Sequence, residues 1–212
     1  MISLVGVFLV SAFLGAIPFG LLVTKCLGRD DPREGGSGNI GATNVLRTSG
    51  WATALLTLAG DILKGSVSVA FVPGLLIASP ESLPATGLPA TGLPAAGVAA
   101  IAAVLGHMYS PFTGFNGGKG VATGLGVFAL LMPVPTALSV GVFIATVSIT
   151  RYVSLGSCLA ALVIPIAAVV AAYPSEKLVA AVVISALIIL RHKDNIGRLI
   201  RGEENRFGTK KS

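Results

Sequence analysis

The sequence predicts an all-α, polytopic membrane bundle of seven spanning helices, several of them short. Three observations carry that expectation. Of 212 residues, 53% are apolar and only 11% are charged, with a mean hydropathy of +0.86; soluble domains carry about a quarter charged residues. The apolar residues come as continuous runs separated by polar tracts. The nine Phe, three Tyr and one Trp form no aromatic girdle, and no alternating β-barrel segments can be read. A chain that spans the bilayer must satisfy its backbone internally, so one helical bundle covering 1–212 is expected.

The first run, 2–24, is interrupted by Gly15 and Pro18 and lacks a basic start before it, so it reads as a retained span rather than a cleaved signal. A polar tract, 25–50, follows. The second run, 51–78, carries Asp61 and Lys64 inside it. Residues 80–97 hold LPATG-LPATG-LPAAG, a Pro/Gly-rich repeat expected to be a loop that tolerates insertion. It resembles a sortase anchoring signal, but more than a hundred residues follow it where that signal needs one span and a basic end. Further runs occupy 95–105, 121–132, 135–150, 155–173 and 178–190. Twelve helical residues rise about 18 Å against roughly 30 Å of hydrocarbon, so the short runs must extend into their polar flanks or dent the bilayer.

Charge orients the bundle. The polar tracts 25–50, 106–120, 151–157 and 191–212 each follow an odd-numbered run, and they hold four, one, one and seven Lys plus Arg. Only Lys64 and Lys177 lie elsewhere. Positive charge marks the cytoplasmic side, which places the N-terminus outside and all four tracts inside. The net charge of +6 is thus topological, and no nucleic-acid partner is expected. Cys26 and Cys158 lack a CxxC spacing, and two histidines with few carboxylates would supply a metal site poorly. Neither metal nor cofactor is expected.

The tracts carry the chemistry. Residues 106–123 read GHMYSPFTGFNGGKGVAT. His107, Asn116 and Lys119 stand among Gly117, Gly118 and Gly120, a glycine-rich loop whose backbone N–H groups can converge on an anion. A helix beginning near Val121 would add its positive end. The alternative is a flexible glycine turn with a lysine reaching to headgroups. Residues 35–47, GGSGNIGATNVLR, offer Ser37, Asn39, Thr43 and Asn44 as neutral donors, Gly41 for close backbone approach, and Arg47 as a planar fork for phosphate or carboxylate. The alternative there is a linker. In RYVSLGS, Ser154 and Ser157 share a helix face, for substrate or for capping. In RHKDNIGRLIRGEENRFG, His192 and Asn195 are also three apart; Asp194 orients His192 or faces water. Arg198, Arg201, Arg206, Lys210 and Lys211 read as a headgroup-facing basic tail. Asp61 and Lys64, three apart, read as a pair that stabilises or props the site.

Known reaction signatures narrow the choice. The spacing is not that of a Walker A loop, no G-x-S-x-G elbow is present, and the H-x-x-x-x-D of many acyl-CoA-dependent acyltransferases fails at both histidines. An enzyme built from these residues would work by positioning phosphates and neutralising their charge. A small anion or lipid transporter is the main alternative, although the polar motifs cluster at one surface and none is duplicated. A scaffold of small residues would explain the glycines but not the amides and cations.

GSGNIGATNVLR, GHMYSPFTGFNGGKGVAT and RHKDNIGRLIRGEE, with IPFG at 17–20, GDILKG at 60–65 and RYVSLGS, resemble the motifs of the bacterial membrane glycerol-3-phosphate acyltransferases that use acyl-phosphate, the PlsY family. The resemblance runs in order over nearly the whole chain; the LPATG repeat departs from it as an insertion on the outer face. It implies transfer of a fatty acyl group from acyl-phosphate to the 1-hydroxyl of glycerol 3-phosphate, giving lysophosphatidic acid and phosphate for phospholipid synthesis. The substrates, the lipids of the bacterial inner membrane and no obligatory second copy would be the partners, with the site open to the cytoplasm. It also implies that Ser37, Arg47, Lys119, Ser157 (or Ser154), His192 and Asn195 serve two phosphates, in one pocket formed by four distant stretches.

Overall fold

The computed structural model describes residues 2–77 and 93–208, and every regular element among them is helical. Two compact units, Met1–Leu131 and Met132–Ser212, make up the chain. The first contains α1 (Ile2–Ala16), α2 (Phe19–Cys26), α3 (Ala42–Ser49), α4 (Trp51–Ala70), α5 (Val72–Ile77), α6 (Leu93–Met108), a 3-10 turn (Pro111–Thr113) and α7 (Val121–Leu131). The second contains α8 (Pro133–Thr150), α9 (Val153–Val170), α10 (Ser175–Arg191) and α11 (Lys193–Ile200). Five segments are long and apolar enough to cross a membrane: Leu4–Cys26, Trp51–Leu76, Pro94–Thr113, Pro133–Thr150 and Val153–Val170. The protein is therefore a multi-pass membrane protein. Leu75, Ile149 and Val170 are more than four-fifths exposed, as lipid-facing side chains should be.

In the first unit α1 packs on α6 and α4 on α7. Lipid tails are as apolar as leucine, so helices associate through close packing and hydrogen bonds rather than through a hydrophobic drive. Ala99, Ala100, Ala102 and Ala103 of α6 are accordingly fully buried. At the crossing, a Cβ on Gly106 would collide with the Ala12 carbonyl, so only glycine lets the two backbones meet.

The first span is broken, not merely bent. α1 ends at Ala16, Pro18 cannot continue its ladder, and α2 restarts at Phe19. Carbonyls left at the break find side chains from elsewhere: Ser110 Oγ donates to Ala16 at 2.6 Å and Lys64 Nζ to Ile17 at 2.7 Å. Such substitution is what makes a broken helix tolerable at membrane depth.

The second unit repeats the device. Pro165 lies inside α9 and has no N–H to offer the carbonyl of Ala161, and Ser185 Oγ of α10 donates to that carbonyl at 2.6 Å. Ser139 Oγ of α8 bonds the neighbouring Ala160 carbonyl at 2.8 Å.

Three features differ from the sequence expectation. The last repeat copy, 93–97, is not loop but the start of α6: a proline is tolerated in a first helical turn, where its missing N–H would have no partner anyway. Residues 83–92, with the first two copies, lie outside the described residues. Two eight-residue helices, α3 and α11, occupy polar tracts to which the sequence reading assigns no helix. Both are too polar to register as spans, and each is strongly amphipathic.

Candidate active site

In the first unit, α3 carries Arg47 in its last turn, exposed at the end of a loop built around Asn44. Asn44 is 2% exposed. Its Nδ2 donates to the carbonyls of Pro32 at 2.6 Å and Asn39 at 2.8 Å, with Gly35 at 3.2 Å, and its Oδ1 accepts the Ser37 N–H at 2.8 Å. The sequence reading gave this amide to substrate; the structure spends it on the loop, because a buried amide must have all its donors and acceptors met. Asn39 Oδ1 accepts the Gly41 N–H at 2.9 Å just before α3 begins. What the loop presents outward is Ser37, whose hydroxyl is exposed, together with Arg47.

The glycine loop is also turned inward more than expected. Gly117 N–H donates to the Met108 carbonyl and Gly118 N–H to the His107 carbonyl, both at 3.1 Å. These donors satisfy the end of α6, so they do not form an anion nest. Gly118 is glycine for another reason: a Cβ there would collide with His107 Nε2. His107 itself, read as substrate-binding, is 3% exposed beneath the loop, with Nδ1 3.5 Å from Asp61 Oδ1. Asp61 and Lys64 do meet, at 2.8 Å, both buried. Above this layer Asn116 is exposed and Lys119 half-buried, and Gly120 turns with φ of 82° into α7.

In the second unit, α9, α11 and the following segment converge on a residue the sequence reading passed over, Glu204. Its Oε1 accepts from Ser154 Oγ at 2.8 Å and Asn195 Nδ2 at 2.6 Å, and its Oε2 from Arg198 Nε at 2.7 Å. Burial opposes the charged carboxylate, but the hydrogen bonds from Asn195, Ser154 and Arg198, with the Arg198 charge, prevail and hold Glu204 below the usual range. Its only sequence signal is an acidic pair inside a basic tail. Ser157 Oγ bonds the Val153 carbonyl at 2.9 Å, one helical turn back. His192, 2% exposed, has Nδ1 2.8 Å from the Ile188 carbonyl. A carbonyl only accepts, so Nδ1 carries a proton and donates to it, which fixes the ring with its Nε2 edge turned the other way.

Three arginines of the basic tail have partners within the chain. Arg198 is held by Glu204, Arg201 pairs with Glu203 at 2.7 Å, and Arg206 lies on the Tyr152 ring, 5.4 Å from its centroid. Lys210 and Lys211 lie outside the described residues. Asp194 is exposed in the first turn of α11. Among the described residues no cluster of His, Cys, Asp and Glu could hold a metal ion.

Residues 5–202 match the family model described as glycerol-3-phosphate acyltransferase. The chain belongs to that family. It is 43% identical over 194 residues to the glycerol-3-phosphate acyltransferase of Trichlorobacter lovleyi, covering 92% of each chain. With that of Geobacter sulfurreducens it shares 44% over 200 residues, covering 93% of this chain and 94% of the relative. Among solved structures it is similar to PlsY, an integral membrane glycerol 3-phosphate acyltransferase, in its glycerol 3-phosphate form, with a TM-score of 0.85 and 39% identity over 98% of this chain and 96% of that one. The lysophosphatidic acid form of the same enzyme gives 0.84 and 38% at the same coverage.

Proposed function

We propose that the protein transfers a fatty acyl group from acyl-phosphate to the 1-hydroxyl of glycerol 3-phosphate, yielding lysophosphatidic acid and inorganic phosphate for phospholipid synthesis. The observation that carries this reading is the near-complete match to an enzyme solved with glycerol 3-phosphate and in a lysophosphatidic acid form. Acyl-phosphate as donor accords with the missing H-x-x-x-x-D spacing at both histidines.

Two phosphorylated substrates repel one another, and Arg47 and Lys119 offset that charge. Ser37, Asn39 and Gly41 line the Arg47 loop, and Asn116 and Gly120 the Lys119 loop. His192 and Asn195 orient glycerol 3-phosphate, the Asn195 amide held by Glu204; Ser157 contributes its hydroxyl, while Ser154 steadies Glu204. The attacking hydroxyl forms the new ester bond at the acyl carbon, the mixed-anhydride C–O bond breaks, and phosphate leaves. Its proton passes to a substrate phosphate. His192 Nδ1 donates to a backbone carbonyl rather than to a carboxylate, so that nitrogen forms no histidine–carboxylate pair of the kind that activates a nucleophile. An acyl group trapped on Ser37 or Ser157 would refute that route.

The five long apolar segments, together with α7 and α10, make seven spans. Their basic tracts face the cytoplasm of a bacterial inner membrane, and a monomer suffices. Transport loses its one supporting feature, because Asp61 and Lys64 close on each other and on the Ile17 carbonyl.

The deciding experiment is an assay of the purified protein with acyl-phosphate or acyl-CoA as donor. Phosphate release should require glycerol 3-phosphate and acyl-phosphate, and Arg47→Ala and Lys119→Ala should each lower turnover about 100-fold or more while leaving a folded protein. Equal activity with acyl-CoA, or near-normal turnover in both variants, would overturn the donor or the site.

A further inference from the structure

Beneath the glycine loop lie two membrane-buried charges and a histidine that the reaction above does not use. Asp61 and Lys64 are each about 3% exposed and 2.8 Å apart. The Lys64 ammonium also bonds the Ile17 carbonyl at the break between α1 and α2, which pins the pair to that joint. On the other side, Asp61 Oδ1 faces His107 Nδ1 at 3.5 Å. The far edge of the imidazole, Nε2, is the surface against which Gly118 lies, too close for any Cβ. Gly118 N–H is drawn to the carbonyl of the same histidine at 3.1 Å. The loop therefore rests on His107 through its ring and through its backbone. Lys119 is the next residue.

We propose that His107 is a positioning residue for Lys119: its ring, buried between Asp61 and the glycine loop, is the platform that sets the height of the 117–120 loop. The inference rests on reading Lys119 as a phosphate-binding side chain. A lysine stem is flexible, so where its ammonium can reach depends on where its backbone is fixed, and binding groups lose effect when displaced by about 1 Å. A buried ion pair contributes little stability, and fixing a geometry is the better-attested reason to keep one. Here the geometry fixed is that of one imidazole. Its two edges face opposite ways, one toward a carboxylate at 3.5 Å and one against the loop backbone.

The test is a steric suppressor pair in the full-length protein. Gly118→Ala, His107→Ala, the double variant and Lys119→Ala are purified, and kcat, the KM of each phosphorylated substrate and Tm are measured. Gly118→Ala should lift the loop off the ring and raise the KM of at least one phosphorylated substrate about tenfold, more than it lowers kcat. His107→Ala should raise the same KM by removing the platform. The double variant should recover part of the Gly118→Ala loss, because the methyl group then has room. A double variant no better than Gly118→Ala overturns the proposal, as does His107→Ala with a lowered Tm and unchanged KM. If Gly118→Ala fails to fold, the comparison passes to folded yield: a double variant that folds supports the platform, and one that does not overturns it. Full activity in Lys119→Ala would strike the reading of Lys119 and so would be told apart from a failure of the platform.

Discussion

Glu204 shows how much one side chain can organise. Near His192 and Asn195, it accepts from three partners on two helices. Its carboxyl lies below the usual glutamate range in the folded chain, so the stability it lends is present above the unfolded value and is lost as pH falls through the lowered one. Glu204→Gln should therefore lower Tm by about 3 °C at neutral pH, with the gap to the parent protein closing below about pH 4. A gap independent of pH would mean that shape, not charge, is what Glu204 supplies. Asn44 makes the complementary point. A motif asparagine reads as a ligand from sequence, but its amide is committed to Pro32, Asn39 and Ser37, where it shapes the loop that carries Ser37 and Arg47.

At the scale of elements, both units mend interrupted helices with hydroxyls or ammonium groups from a neighbour. The α9–α10 contact offers the cleaner measurement. Ser185→Ala should cost about 0.6 kcal/mol, the average for an interhelical hydrogen bond in a membrane protein. In a Pro165→Ala background the restored N–H can reach the Ala161 carbonyl, so the same substitution should cost less, with a coupling of about 0.5 kcal/mol in a double-mutant cycle. Additive costs would show that Ser185 packs without serving the carbonyl that Pro165 leaves. Sequence displays the proline and the serine but not their partnership. They stand twenty residues apart on different helices, and only packing brings the hydroxyl to that carbonyl.

For the whole molecule, the proposed orientation is open to a single labelling experiment. Cys26 is exposed at the end of α2, within the first basic tract, whereas Cys158 is half-buried in α9. A membrane-impermeant maleimide should label Cys26 in inverted vesicles and leave it unlabelled in intact spheroplasts. Labelling in spheroplasts would invert the topology and with it the cytoplasmic site.

Sequence alone determined that this chain is helical, multi-pass and a glycerol-3-phosphate acyltransferase by family. The first two follow because a bilayer demands long apolar runs, which are written locally; the family rests on the resemblance of its motifs, whose cations, amides and glycines by themselves point only to phosphate binding. Tertiary structure decided which polar residues face outward and which are consumed within. The N–H groups of Gly117 and Gly118 end on α6, His107 turns toward Asp61, and Ser154 and Asn195 turn toward Glu204. The hydrogen bonds among those choices follow from the cost of leaving a buried polar group unpaired, and in every case the residue met lies on another element or across a loop, beyond what spacing along the chain can show.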